Sequence, residues 1–365
     1  MPTLVISAVN IVEGGMLKIL QDCLETARAQ LPTWRIVALV NNPGVVKTQG
    51  VEVVALPGAK TSWLRRVYTE YVTFRRLSRE FKADIWWSLH DLSPFVSAGS
   101  QFVYCHNPTP FYRISLREAR LEPGLLAFNA LYSLFYRINI RANRGVIVQQ
   151  QWMRDQFERR YGVCNVVVAH PVEQRELPAA ESARGKIVTF AYPALSRAFK
   201  NFEVICEAAR LLASEPAWNG QILLTIDPDE TRLSRDLYCR YGDIVGLEFI
   251  GRQTRAEMAT LYDAMDCLLF PSRLETWGLP ITEAKALGKP MILADLPYAH
   301  ETVGDYDQVR FCDPEDPQQL AELMLAAHRD GWRSMPVRAA LIAQPFVQDW
   351  SELVATVVDM HERAS

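Results

Sequence analysis

The sequence predicts an α/β protein of two Rossmann-like domains, each a parallel sheet with helices on both faces, the two facing each other across a cleft. Three observations carry this. The length of 365 residues exceeds one ordinary open-sheet domain and suits two. Short apolar runs alternate with longer stretches of helical period, which is the βαβ pattern of sheets covered on both faces. A polar stretch without strand signal, 173–184, interrupts the alternation near the middle.

In the first half the strand-like runs are Leu4–Ala8, Arg35–Val40, Val51–Leu56, Asp84–Leu89, Phe102–His106, Val146–Gln149 and Val166–Ala169. In the second half they are Ile187–Tyr192, Ile222–Ile226, Leu247–Ile250, Cys267–Phe270, Pro290–Ala294 and Val309–Cys312. Helix-period stretches separate many of them, as at Met16–Arg28, Phe202–Leu212 and Arg255–Met265. The reading is therefore a first domain over 1–172, a linker over 173–184, a second domain over 185–345, and a terminal segment, 346–365, of helical pattern. With no strand after it, that last helix is free to pack back on the first domain.

Composition fits two filled cores: 49% of residues are hydrophobic, and a charged share of 22% argues against disorder. The net charge of −3 hides an asymmetry. Residues 1–170 hold 20 Lys and Arg against 12 Asp and Glu, a net of +8, leaving 19 against 30 and a net of −11 for the rest. A basic half suits an anionic partner, a phosphate or a membrane surface; scattered solvated charge gives the same count. Seven widely spaced cysteines with no C-x-x-C point to reduced thiols in a cytoplasmic protein, not to a disulfide frame or a zinc site. No signal peptide is visible, since the chain opens on the strand-like Thr3–Ala8, and no uncharged run approaches the ~20 residues of a membrane-spanning helix. Nothing reads as a nucleic-acid-binding module.

Parallel open sheets bind ligands at the carboxyl ends of their strands, so the informative loops are those that follow strands. The richest is Phe270-Pro-Ser-Arg-Leu-Glu-Thr-Trp-Gly-Leu-Pro-Ile-Thr-Glu-Ala-Lys-Ala-Leu-Gly-Lys-Pro290. A strand ends at Phe270, Glu275 sits on the loop, Gly278 allows close backbone approach, and Pro280 suits the first turn of a helix. A helix start presents free N–H groups and a positive dipole end, which suits a pyrophosphate. Glu275 and Glu283, eight apart, can face one site, where carboxylates accept hydrogen bonds from paired sugar hydroxyls. On spacing alone the two glutamates can equally be a solvated loop residue and a helix-end charge.

The stretch P-S-x-x-E-x-x-G-L-P-x-x-E-A-x-A-x-G-x-P, with its E-x7-E pair, resembles the signature of retaining GT-B glycosyltransferases, particularly family 4. The resemblance extends further. Gly14 and Gly15 follow the first strand, as does the family's glycine loop near donor phosphates and acceptor. Tyr104-Cys-His-Asn-Pro108 ends a strand where the family places a histidine beside the transferred sugar, here His106. Val146–Gln150 with Trp152-Met153 looks like the family's strand and helix at the end of that domain. Phe249-Ile-Gly251 looks like its base-contacting turn. One departure stands out: the family reads G-R-L, a short gap, then lysine, whereas this chain has Tyr192-Pro-Ala-Leu-Ser-Arg-Ala-Phe-Lys-Asn201. Lys200 takes the lysine's place and Leu195 falls where the arginine is expected; Arg197, two residues later, reads either as a substitute reaching the phosphates by a different backbone path or as an exposed loop arginine.

The resemblance implies a GT-B fold and retaining, metal-independent transfer from a nucleotide diphospho-sugar, which is a substrate and not a cofactor. It implies that Lys200 and Arg197, with the amides of Thr276, Trp277, Gly278 and Leu279, take the charge growing on the leaving diphosphate. Glu275 then orients the sugar and Glu283 the ribose, while His106 contacts the sugar through its ring and backbone carbonyl. Attack comes from the front face, with the departing phosphate as base. The expected acceptor is a glycan or lipid-linked hydroxyl in surface polysaccharide or O-antigen synthesis. The base, GDP, UDP, ADP or dTDP, stays open. No metal site is expected, and Asp227-Pro-Asp229 and Asp305-Tyr-Asp307 read as turns. Two stretches can seat the basic half on the inner face of an anionic membrane: Trp63–Arg79, where aromatics interleave with arginines, and the apolar 125–140 followed by Arg141 and Arg144. Both read equally well as core-packing helices. A dehydrogenase would carry G-x-G-x-x-G where this chain has Asn10-Ile-Val-Glu-Gly-Gly-Met16. A nucleotide-sugar-binding protein or scaffold with little or no transferase activity is the other alternative.

Overall fold

The computed structural model describes residues 1–11, 15–59, 62–170 and 183–363. It divides into two compact units. The first gathers 1–110, 130–174 and 342–365, the second 111–129 and 175–341.

In the first unit the strands are β1 (Thr3–Ala8), β2 (Arg35–Val40), β3 (Glu52–Ala55), β4 (Ile85–Ser88), β5 (Ser100–Cys105), β6 (Gly145–Val148) and β7 (Val166–Ala169). They pair in parallel in the order β3-β2-β1-β4-β5-β6-β7, and the short strand Phe346–Val347 adds beside β7. The period-2 alternation of a strand sends successive side chains to opposite faces. Leu4, Ile6 and Ala8 join Leu20, Leu24 and Trp87 in one core cluster, while Val5 and Val9 join Phe74, Leu77 and Trp86 on the other face. Each valine, leucine, isoleucine or phenylalanine among them, fully buried, contributes roughly 1.5–3 kcal/mol. The terminal helix Trp350–Glu362 supplies Leu353, Val354 and Val357 to the first cluster.

The second unit holds β8 (Ala183–Arg184), β9 (Thr189–Tyr192), β10 (Gln221–Leu224), β11 (Leu247–Phe249), β12 (Cys267–Phe270), β13 (Met291–Ala294), β14 (Val309–Cys312) and β15 (Trp332–Arg333). Six of them form a parallel sheet in the order β11-β10-β9-β12-β13-β14; β8 and β15 form a separate antiparallel pair.

Two boundaries differ from the sequence reading. Residues 111–129, assigned there to the first domain, group with the second unit. The reason is charge pairing within that unit: Arg117 meets Glu203 and Asp236, Glu118 lies 3.6 Å from Arg273, and Glu122 lies 2.5 Å from Arg197. A capping box at Ser115 and Glu118 starts the helix Leu116–Leu121 that carries these charges. The linker, 173–184, falls mostly outside the described residues, but its last two residues are the strand β8.

The stretch Trp63–Arg79 is helical with a π-type turn over Thr69–Thr73. One face packs: Trp63 stacks on Phe135, Arg66 is buried against Glu70 (3.0 Å) and the Tyr132 hydroxyl (3.1 Å), and Phe74 meets Trp86. The other face leaves Leu64, Tyr68 and Val72 exposed at four-residue spacing, with Arg65, Arg75, Arg76 and Arg79 also exposed. Among the described residues no helix is long and apolar enough to cross a membrane.

Candidate active site

Each sheet reverses its strand order once, and the loops leaving the two central strands there open a crevice. In the second unit the reversal lies between β9 and β12. The loop after β9 carries Arg197 and Lys200; the loop after β12 carries Glu275 and runs into the helix Leu279–Ala286, which holds Glu283. The topology thus brings the separate sequence motifs of this half to one edge.

Lys200 and Glu275 meet directly: the ammonium donates to Glu275 Oε1, with both side chains largely buried. The rings of Phe270 and Phe199 flank the ammonium at 5.5 and 5.8 Å. Asn201, in the left-handed region at φ 58°, ties the two loops together by donating to the Pro271 carbonyl at 3.1 Å and the Pro314 carbonyl at 2.7 Å. The Tyr192 hydroxyl donates to the Lys200 carbonyl (2.7 Å), and Tyr298 to that of Ser272 (2.7 Å). Burial first, and the charge of Glu275 second, push both phenols well above their ordinary value, so they stay neutral donors.

Gly278 caps the helix at φ 85°, a conformation few side chains adopt, and a Cβ there would approach Ile281 to 3.1 Å. Leu279 and Pro280 begin the first turn, where proline has no N–H to satisfy and the Leu279 amide lacks an intrahelical partner. Thr276 is half-buried. Trp277 turns inward: its indole donates to Thr282 Oγ1 at 2.9 Å and its carbonyl accepts from Thr302, so the loop offers a ligand its backbone more readily than this side chain. Glu283 is exposed and accepts a hydrogen bond of 2.5 Å from Tyr262, whose phenol is raised by burial and then by that carboxylate. Gly251 sits at φ 75° with open space on its Cβ side.

Arg197 does not stand free. Its Nε lies 2.5 Å from Glu122 Oε1, and the other carboxylate oxygen of Glu122 accepts from the Ala198 amide at 3.0 Å. An open pocket of about 320 Å³ adjoins them, lined by Ser196, Thr231, Glu230 and Arg252 among others. Glu122 comes from 75 residues upstream, so no local signal marks it. Asn201, beside Lys200 at the start of a helix, carried a weak one, since asparagine tolerates positive φ.

In the first unit the reversal lies between β1 and β4. Gly14 lies outside the described residues, and Gly15 opens the helix Gly15–Gln30. His106 follows β5 and is buried. Its Nε2 lies 3.0 Å from the Leu89 carbonyl and its Nδ1 3.4 Å from Gln149 Nε2, which fixes a neutral ring protonated at Nε2. Burial is the larger influence and lowers its pKa, against the opposing charge of Asp91. Both ring nitrogens are therefore engaged, whereas no donor among the described residues reaches the His106 carbonyl. Among the described residues, no three His, Cys, Asp or Glu side chains converge as metal ligands, and Asp227 accepts from the Asp229 amide (2.8 Å), closing a turn.

A family model described as glycosyl transferases group 1 matches residues 173–344, the stretch that contains Arg197, Lys200, Gly251, Glu275 and Glu283. D-inositol 3-phosphate glycosyltransferase of Streptosporangium roseum is 26% identical over 167 residues, 43% of this chain and 38% of that protein. O-antigen chain mannosyltransferase B of Escherichia coli is 26% identical over 117 residues, 32% of this chain and 30% of that protein. The matched stretches thus span about a third of these relatives' own length. The fold similarity reaches further. WaaG, a glycosyltransferase involved in lipopolysaccharide biosynthesis, superposes with a TM-score of 0.62 at 14% identity, covering 99% of this chain and 98% of that one. The two Rossmann-like units are those of the GT-B fold.

Proposed function

We propose that the chain transfers a sugar from a nucleotide diphospho-sugar to a hydroxyl of a glycan or lipid-linked acceptor, with retention of configuration and without a metal. The observation that carries this is the meeting of Lys200 and Glu275 at the strand reversal of the group 1 stretch, beside the helix start that leads to Glu283. In the free chain Glu275 neutralises Lys200. A donor diphosphate would take the ammonium, leaving Glu275 to accept from sugar hydroxyls. The helix-start amides would share the charge that grows on the leaving diphosphate. Arg197 joins them once the diphosphate displaces Glu122. Glu283 accepts from the ribose. The departing phosphate takes the proton of the attacking hydroxyl on the same face, so no enzymic nucleophile is required. The names of the E. coli relative and of WaaG favour an acceptor in surface-polysaccharide synthesis.

The test is a thermal melt with GDP-, UDP-, ADP- and dTDP-sugars in excess chelator. A ligand that binds only the folded state raises the melting temperature, by about 2.7 kcal/mol of stability at a hundredfold excess over Kd. One base should give a shift that added Mg²⁺ leaves unchanged. No shift with any of the four contradicts the nucleotide-sugar reading, and a shift only with metal contradicts its metal independence.

The exposed stripe of Leu64, Tyr68 and Val72 beside four exposed arginines supports a peripheral seat on an anionic membrane. The chain should sediment with anionic vesicles at low salt and release as salt rises, since such attraction is screened over about 10 Å at 0.1 M. Equal recovery with neutral vesicles contradicts it.

A further inference from the structure

An open cavity of about 810 Å³ lies in the first unit at the amino ends of β5, β6 and β7, opposite to the strand end that leads to His106. Its lining includes Arg141, Arg144 and Arg363 and no aspartate or glutamate. Arg363 pairs with Asp359 at 2.7 Å. Arg141 and Arg144 are exposed, and neither meets an acid among the described residues. The turn that carries them is pinned by three asparagines. Asn139, in the left-handed region at φ 60°, donates to the Pro94 carbonyl at 2.6 Å. Asn143, buried, donates to Ser93 Oγ at 2.7 Å and to the Ile140 carbonyl at 2.8 Å. Asn165 donates to the carbonyls of Asn143 and Arg144 at 2.7 and 2.6 Å. Each guanidinium is held as well, by its inner nitrogen. Arg141 Nε donates to the Tyr161 carbonyl at 3.1 Å, at the end of the helix Gln151–Tyr161. Arg144 Nε donates to the Met360 carbonyl at 3.2 Å, in the last turn of the terminal helix. Gly162, at φ 63°, makes room for the first of these, since a Cβ there would come within 2.9 Å of Arg141 Nη2.

Capping a helix end accounts for the Nε of each arginine and leaves the Nη side over. The two helix ends together carry about one negative charge, roughly half each, against two full positive charges, so this wall of the cavity stays cationic. Because turn and guanidinium groups are already held, an anion that binds them costs little further ordering. A guanidinium fork matches the oxygens of a phosphate or a carboxylate. Two forks without a counter-charge match a group of about two negative charges, which a phosphate ester approaches near neutral pH and a carboxylate does not. Val96, Ala98 and Met360 give the rest of the wall apolar surface, and the volume falls within the range of small-ligand sites, about 300–1,000 Å³. We propose that this cavity binds a small phosphorylated molecule, its phosphate on Arg141 and Arg144. The site belongs to the first unit alone and does not depend on the transferase reading.

The experiment is a calorimetric titration of the full chain with glucose 6-phosphate, glucuronate and glucose at low salt. Three variants go beside the wild type: Lys200→Ala, Arg141→Ala combined with Arg144→Ala, and Ala142→Glu. Lys200→Ala reports any phosphate taken up at Lys200 instead. Ala142 is exposed and lines the cavity, so a glutamate there sets a carboxylate beside both arginines and leaves their helix caps in place. The wild type should bind glucose 6-phosphate at least about tenfold more tightly than glucuronate, and should not bind glucose. Affinity should be unchanged in Lys200→Ala and at least about tenfold weaker in the double arginine variant and in Ala142→Glu. If the double variant fails to fold for want of its two caps, Ala142→Glu decides. No binding of glucose 6-phosphate by the wild type overturns the proposal, and so does equal affinity for glucuronate. Binding that Lys200→Ala abolishes and Ala142→Glu leaves intact overturns it as well. Vesicles containing phosphatidate form the last arm. Sedimentation with them that Ala142→Glu abolishes, without binding of the soluble ester, makes the ligand a lipid headgroup and overturns the small-molecule assignment.

Discussion

Replacing Lys200 by alanine is expected to lower kcat on the order of 10²-fold, the loss typical of removing one preorganised charge-stabilising group. The ammonium lies between the rings of Phe199 and Phe270 and is largely buried, so its field is less screened than in water. The loss has a second part. Alanine leaves Glu275 as an unpaired, largely buried carboxylate facing an anionic diphosphate, so donor KM should rise as well. The fold should persist, because the loop is held by Asn201 and the Tyr192 hydroxyl independently of the ammonium. Steady-state kinetics and a melting curve on the variant check both statements. Activity within a factor of two of wild type removes Lys200 from the site.

The two glutamates should differ in kind when each is changed to glutamine. Glu275→Gln should mainly lower kcat, because its partner is the sugar whose charge changes during transfer. It also frees Lys200 from its carboxylate in the unliganded chain, so donor KM should not rise. Glu283→Gln should mainly raise donor KM, roughly tenfold for a lost charge-assisted hydrogen bond, because ribose contacts are similar in ground and transition states. Helix-end electrostatics alone would cost only roughly 0.3–1 kcal/mol of stability and leave catalysis intact. Kinetics with donor as the varied substrate separate these outcomes. Exchanged roles would reverse the placement of sugar and ribose.

Much of this was legible because local patterns dictate it. Arg35–Val40, Val166–Ala169, Cys267–Phe270 and Val309–Cys312 are strands over just those residues, since a run of buried branched side chains bounded by polar loops leaves little freedom in register. The two-residue strands β8, β15 and Phe346–Val347 were not legible, being too short to show a period and dependent on distant partners. The site divides the same way. Glu275, Gly278 and Glu283 lie in one continuous motif, and their places on loop, cap and helix follow from it. The pairing of Lys200 with Glu275 needed only the adjacency of β9 and β12. Glu122 on Arg197 joins segments 75 residues apart and Asp91 on His106 joins two loops 15 residues apart, and neither acid has a neighbour pattern that distinguishes it from a solvated one. Trp277 reads as a ligand contact by position, yet its size and its indole N–H are satisfied inside the unit by Thr282.

The most direct test of a diphosphate site at Lys200 is a calorimetric titration of the wild-type chain with the nucleoside and the nucleoside diphosphate of each of the four bases, in chelator. For one base, the diphosphate should bind at least tenfold more tightly than its nucleoside, at least about 1.4 kcal/mol of binding free energy carried by the phosphates. Equal affinity for nucleoside and diphosphate, or no binding with any base, would contradict it.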